Sequence, residues 1–144
     1  NNVSIKNDAH IEIGGKTYHF LNVQPQSLSG EKEIKLIDDY FIQKQSFLKQ
    51  GLNISIVAVE LNIPVRELSY IINNYYQKRF NDYLNEMRLT HFLSQIDSNI
   101  LDILTIEAIA FDSGFSSKSS FYRAFNRFYS CTPSEYLETL NKAN

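Results

Sequence analysis

Only one cysteine, Cys131, occurs in the 144 residues. That excludes an internal disulfide and agrees with a reducing compartment. No apolar run reaches the roughly 18 residues a membrane-spanning helix needs, and no signal-peptide pattern opens the chain. The histidines, His10, His19 and His91, lack the spacing of metal ligands. No glycine-rich phosphate loop and no paired carboxylates in a plausible site are found, and Cys131 has no base partner in the sequence. These absences point away from an enzyme, a cofactor or a metal. Positive charge is also short: the net charge is −2 and the pI about 5.9, whereas nucleic-acid binders are usually basic in total. The chain starts at Asn1 rather than Met, which suggests a fragment of a longer protein.

What is present is core material and unevenly placed charge. Hydrophobic residues make up 43% and aromatic residues 13%, enough for one domain or two very small ones. Residues 114–128 hold Lys118, Arg123 and Arg127 and no acid, a local charge of +3. Residues 64–79 hold Arg66, Lys78 and Arg79 against Glu67, a local +2. Two basic patches therefore sit inside a mildly acidic total.

The expected organisation is all-α, with a short β-hairpin and linker at the N-terminus. HIEIGGKTYHFL (10–21) reads as the hairpin, because Gly14-Gly15 can supply the positive φ angles of a two-residue turn. That turn pairs Ile13 with Lys16 and Ile11 with Tyr18, and sets Ile11, Ile13, Tyr18 and Phe20 on one face. Residues 24–33 read as linker. The division expected is 1–30 for hairpin and linker, the tail of an upstream region, and 31–144 for a helical domain. From Glu31, the stripe Ile34, Ile37, Phe41 and Leu48 predicts a first helix ending near Gly51. Leu36, Tyr40 and Phe47 form a second stripe, read as core packing or a partner surface. Further helices are expected over about 54–61, from the Asn62-Ile63-Pro64 turn to about Tyr76, over about 81–95, and from Thr105 to about Asp112. Residues 96–104 read as irregular or one loose turn. Ser117 caps the next helix, and the capping box TPSE starts a closing helix over 133–140.

Placed on a helix, residues 118–128 separate into faces. Phe121, Ala124, Phe125 and Phe128 share one side and read as core. Ser119, Arg123 and Asn126 point the other way, with Tyr122 and Arg127 on the flanks. The same pattern of turn and helix occurs twice in the chain. Ala58, Ile63, Ile72 and Tyr83-Leu84 match Ala110, Phe115, Phe125 and Tyr136-Leu137, with one extra residue between turn and helix in the second copy. Two helix–turn–helix units, about 54–76 and 105–128, follow from that duplication. The second helix of such a unit enters the DNA major groove. Arg suits guanine edges, Asn suits adenine, and Ser suits several. Lys118, Tyr122 and Arg127 on the margins suit phosphates, which position the protein without reading sequence.

TIEAIAFDSGFSSKSSFYRAFNRFYSCTPSEYL (105–137) resembles the C-terminal signature of the AraC/XylS family of bacterial transcription regulators. VAVELNIPVRELS (57–69) and FNDYLNEMRL (80–89) match more loosely, and the whole resemblance covers roughly residues 34–140. It implies about seven helices, with two units joined by a central helix (about 81–95) and set in consecutive major grooves on one DNA face. Those grooves lie about 34 Å apart, while a 15-residue helix spans about 22 Å. The shortfall leaves DNA bending or incomplete engagement of one unit. The family's base-facing positions fall on Lys118, Ser119, Tyr122 and Arg123 in the second unit, alongside Asn126 and Arg127. In the first unit they fall on Arg66, Ser69 and Tyr70, with Asn73 next along the groove. Departures gather there: Asn62 and Gln77 stand where glycine is usual, Glu67 adds an acid, and Asn73-Asn74 replace a basic pair.

Double-stranded DNA is thus the expected partner, in the cytoplasm or beneath an upstream membrane anchor. The resemblance also allows contact with RNA polymerase, a homodimer through the hairpin or helix 1, and an upstream sensor domain outside this chain. A rival reading is a helical protein-interaction or dimerisation module that has lost DNA readout in its first unit. A small thiol enzyme built on Cys131 is the third.

Overall fold

A computed structural model describes residues 10–13, 16–19, 27–97 and 99–143. Strands β1 (His10–Ile13) and β2 (Lys16–His19) pair antiparallel, with Ile11 opposite Tyr18 and Ile13 opposite Lys16. That is the register a two-residue turn requires. Gly14-Gly15 and Phe20 lie outside the described residues. The remainder is helical: α1 (Ser27–Asp38), α2 (Ile54–Leu61), α3 (Val65–Tyr75), α4 (Phe80–Gln95), α5 (Ile100–Ile103), α6 (Ile106–Asp112), α7 (Lys118–Tyr129) and α8 (Pro133–Lys142). These are eight α-helices among the described residues against about seven expected. The loose turn expected within 96–104 is the short α5. No described helix is long and apolar enough to cross a membrane.

The first helix departs most from expectation. It begins at Ser27, inside the stretch read as linker, and Gly30 is buried. At Asp38 the α-helix ends, widens into a π turn over Asp39–Gln43, and gives way to a 3-10 turn over Ser46–Leu48. Tyr40 and Phe41 in the π turn are both buried, as are Ser46 and Phe47 in the 3-10 turn. The chain then reverses at Gln45, whose φ is 50°. Tyr40 and Phe47 therefore belong to the core, and of the second stripe only Leu36 stays exposed.

Two cores form, and α4 is common to both. Ile37, Phe41, Val57, Leu68 and Ile72 pack around Phe80, Tyr83 and Leu84 at the start of α4. Leu89 and Phe92, toward its end, pack with Ile109, Phe115, Phe121 and Phe125. Edge-to-face and tilted ring contacts tie each set: Phe41 to Tyr83 at 5.3 Å, Phe92 to Phe121 at 4.8 Å, Phe115 to Phe121 at 5.3 Å. The duplicated positions occupy corresponding places, Ala58 and Ile63 in one core, Ala110 and Phe115 in the other.

Arg88 lies between the cores with only 7% of its surface exposed. Its Nε donates to the Phe47 carbonyl and its Nη2 to the Lys49 carbonyl, each at 2.8 Å. Gly114 closes the same junction with φ at 105°, and a Cβ there would stand 2.3 Å from the Phe47 carbonyl oxygen. The equivalent Asn62 also has positive φ, 54°, but is exposed, so its side chain has room. His91 completes the contact. Ser113 Oγ donates to the Ile109 carbonyl at 2.8 Å and lies 3.1 Å from His91 Nδ1. Burial lowers the His91 pKa, and Asp112 opposes the shift.

Gly114→Ala combines the clash with a strained φ and is expected to lower stability by more than about 2 kcal/mol. Asn62→Gly should stay within about 1 kcal/mol of wild type. Arg88→Met leaves two carbonyls without donors and should cost about 2–4 kcal/mol. Urea unfolding measures all three. The unfolded state binds a proton on His91 more readily than the folded state does. Stability from this group is therefore full above about pH 6.5 and declines as pH falls through the lower folded pKa. His91→Gln should flatten that part of the pH profile of the unfolding free energy.

Candidate nucleic-acid interface

Helix α7 starts where Ser117 Oγ accepts from the Ser120 amide at 3.1 Å, satisfying one of the orphan N–H groups at its first turn. Its inner face is Phe121, Ala124 and Phe125, all buried. Phe128 was expected with them and is instead 36% exposed. Seven residues beyond Phe121 the helix has run past its own core. Tyr129 and Tyr136 close that end instead, with ring centroids 4.7 and 5.6 Å from Phe125. Helix α8 reaches this position through its capping box, in which Thr132 and Glu135 each bond the other's backbone amide.

On the outer face Lys118, Ser119, Arg123, Asn126 and Arg127 are exposed and Tyr122 is half-buried. Their surroundings differ. Lys118 Nζ lies 3.0 Å from Glu107 Oε1 and 5.6 Å from the centre of the Tyr122 ring. The Tyr122 hydroxyl donates to the same Glu107 oxygen at 3.0 Å. Burial, then this hydrogen bond, raises the Tyr122 pKa, while the hydrogen bond from Lys118 holds the Glu107 carboxyl below its usual range. Arg127 Nη2 donates to Asp82 Oδ2 at 3.0 Å. Among the described residues, no side-chain hydrogen bond or ion pair engages Ser119, Arg123 or Asn126. The centre of the face is open and both ends are occupied by acids.

The corresponding face on α3 is weaker in charge. Leu68, Ile71 and Ile72 point inward, while Arg66, Tyr70 and Asn73 are exposed and Ser69 is half-buried. Asn74 turns back to donate to the Tyr70 carbonyl at 2.8 Å. Pro64 precedes α3 without a side-chain cap. Gln77, at a usual glycine position, adopts φ 57° and donates to the Asn74 carbonyl at 2.6 Å. Its second-unit counterpart Ser130 also adopts φ 57°. Both α3 and α7 are thus followed by a left-handed residue.

The profile of a helix-turn-helix domain family matches residues 57–139, spanning α2 through most of α8. The chain belongs to the AraC/XylS-type helix-turn-helix family. The regulatory protein SoxS of Escherichia coli strain K12 is 28% identical over 106 residues, covering 74% of this chain and 96% of SoxS. SoxS from Escherichia coli O157:H7 gives the same values, 28% over 106 residues. A solved structure of a Listeria innocua protein of unknown function aligns with a TM-score of 0.62 at 22% identity, over 74% of this chain and 95% of that one. That likeness shows the fold. Domains of the AraC/XylS type bind double-stranded DNA, and the family is one of transcription regulators rather than enzymes.

Three residues escaped the sequence reading: Glu107 and Asp82 at this face, and Arg88 at the junction between the cores. Each acts on a residue 11 to 45 positions away, and no local spacing signals such a pairing. Removing the α7 cap by Ser117→Ala should lower stability by about 1 kcal/mol and fray the first turn. Faster amide exchange at Ser119 and Ser120 than in wild type would register it.

Proposed function

We propose that this chain regulates transcription by binding DNA sequence-specifically, with α7 and α3 set into consecutive major grooves on one face of the duplex. The observation that carries this reading is the outer face of α7. Ser119, Arg123 and Asn126 stand exposed on a helix braced by Phe121, Ala124 and Phe125. A groove-reading helix needs slim, hydrogen-bonding side chains that are not already paired within the protein. Arg123 is the principal base reader and takes a guanine edge; Asn126 and Ser119 take neighbouring positions. Lys118, Tyr122 and Arg127 face the phosphates on either side.

The first unit follows the same plan with less force. Arg66, Ser69, Tyr70 and Asn73 form its face, but Glu67 lies in the first turn of α3. An acid at that place repels phosphates, so the second unit leads recognition and the first adds to it. Helix α4 joins them, and its 16 residues give about 24 Å of length. Bending of the duplex brings the second groove within reach.

Selection of genomic fragments with the purified chain should enrich a site of two half-elements about 10 base pairs apart. Arg123→Ala should weaken binding of that site by about 1–3 kcal/mol and relax the preference at one base pair, with a smaller loss for Arg66→Ala. An enriched site that Arg123→Ala binds as tightly as wild type would overturn the assignment of α7. Failure to enrich any sequence would overturn the reading as a whole.

A further inference from the structure

The cations at the two ends of α7 are held by carboxylates from other helices. Glu107 lies in the first turn of α6 and Asp82 in the first turn of α4. At a helix N-terminus the backbone dipole favours negative charge, which suits both acids to their places. They are also the more enclosed partners. The side chains of Glu107 and Asp82 are 28% and 21% exposed, whereas those of Lys118 and Arg127 are each 67% exposed. The acids are therefore the fixed members, and the cations are the members free to swing toward a ligand. Between them Arg123, on the reading face, has no such partner among the described residues.

We infer that Glu107 and Asp82 set the DNA affinity of the second unit by occupying Lys118 and Arg127 in competition with the DNA phosphates. This rests on the DNA-binding reading above. A phosphate contact by Arg127 requires release from Asp82 or sharing with a carboxylate that itself repels the backbone. The same holds for Lys118 and Glu107. Phosphate contacts supply sequence-independent affinity, and base contacts supply discrimination. Holding back the flanking cations while leaving Arg123 unpaired shifts the balance of recognition toward the bases. Glu107 has a second task, because it also orients the Tyr122 hydroxyl. Asp82 touches α7 through Arg127, which makes it the cleaner test.

The experiment uses the full chain and the selected DNA site, with binding measured by fluorescence anisotropy from about 50 to 200 mM salt. Asp82→Asn, Arg127→Gln, the double variant and Arg123→Ala are compared with wild type. Asp82→Asn keeps a side chain suited to a helix start, and thermal melting establishes that it folds. It is expected to bind roughly two- to fivefold more tightly at low salt. The magnitude of the log–log salt slope should rise by about 0.9 for the one added phosphate contact. Adding Arg127→Gln should abolish the gain. Glu107→Gln, which retains a hydrogen-bond partner for Tyr122, should shift affinity in the same direction through Lys118. A folded Asp82→Asn that binds no more tightly than wild type overturns the inference. So does a gain that persists in the double variant, since removed repulsion alone would explain it. If Arg123→Ala loses binding while Asp82→Asn gains none, the DNA reading stands and this inference falls. Absence of binding by wild type overturns both.

Discussion

The guanidinium of Arg88 is the point on which the two halves of the molecule depend. It sits midway along α4, where one aromatic core ends and the other begins. Burial pushes its pKa down to about 10, so it is still a cation at neutral pH. Enclosing that cation costs free energy, and its two hydrogen bonds to the Phe47 and Lys49 carbonyls offset the cost. Those carbonyls belong to an irregular turn that lacks the regular ladder of an α-helix, so they need donors from elsewhere. The Phe115 ring, 5.8 Å from the guanidinium carbon, covers it from the second unit. One side chain thus joins the 46–49 turn, the central helix and the turn before α7.

This junction explains why the two turns, alike in sequence grammar, differ in tolerance. In the first unit Asn62 takes a left-handed conformation in the open, and a short polar side chain suffices there. In the second unit Gly114 takes one against the Phe47 carbonyl, where no side chain fits. The two copies of the unit therefore differ at this turn. The copy facing the junction has glycine, and the copy facing outward carries a side chain.

Much of this was legible because the relevant signals are local. Amphipathic spacing located α3 and α7, the Thr132 capping box located α8, and the repeat of Ala58 to Leu84 in Ala110 to Leu137 located the two units. Phe128 misled because helical periodicity places a residue on a face without saying where the core under that face stops. The first helix misled for a related reason. Period 3.6 groups Ile34, Ile37 and Phe41 on one face but carries no sign of the π turn after Asp38 or of the reversal at Gln45. On the α7 face, charge and hydrogen-bonding type were readable residue by residue. Occupancy was not, since Glu107 and Asp82 approach from separate helices.

By itself, then, the amino-acid sequence determined the all-α class, the two helix–turn–helix units, the caps that start α7 and α8, and the candidate reading face of α7. Each follows from contacts within about a dozen residues, where backbone geometry alone decides who meets whom. Tertiary structure decided the break after Asp38, the Arg88 junction, the close approach that favours glycine at 114, and which cations of α7 are held and which is free. Those depend on side chains tens of residues apart competing for the same buried space or the same charge, and that competition exists only once the chain has folded.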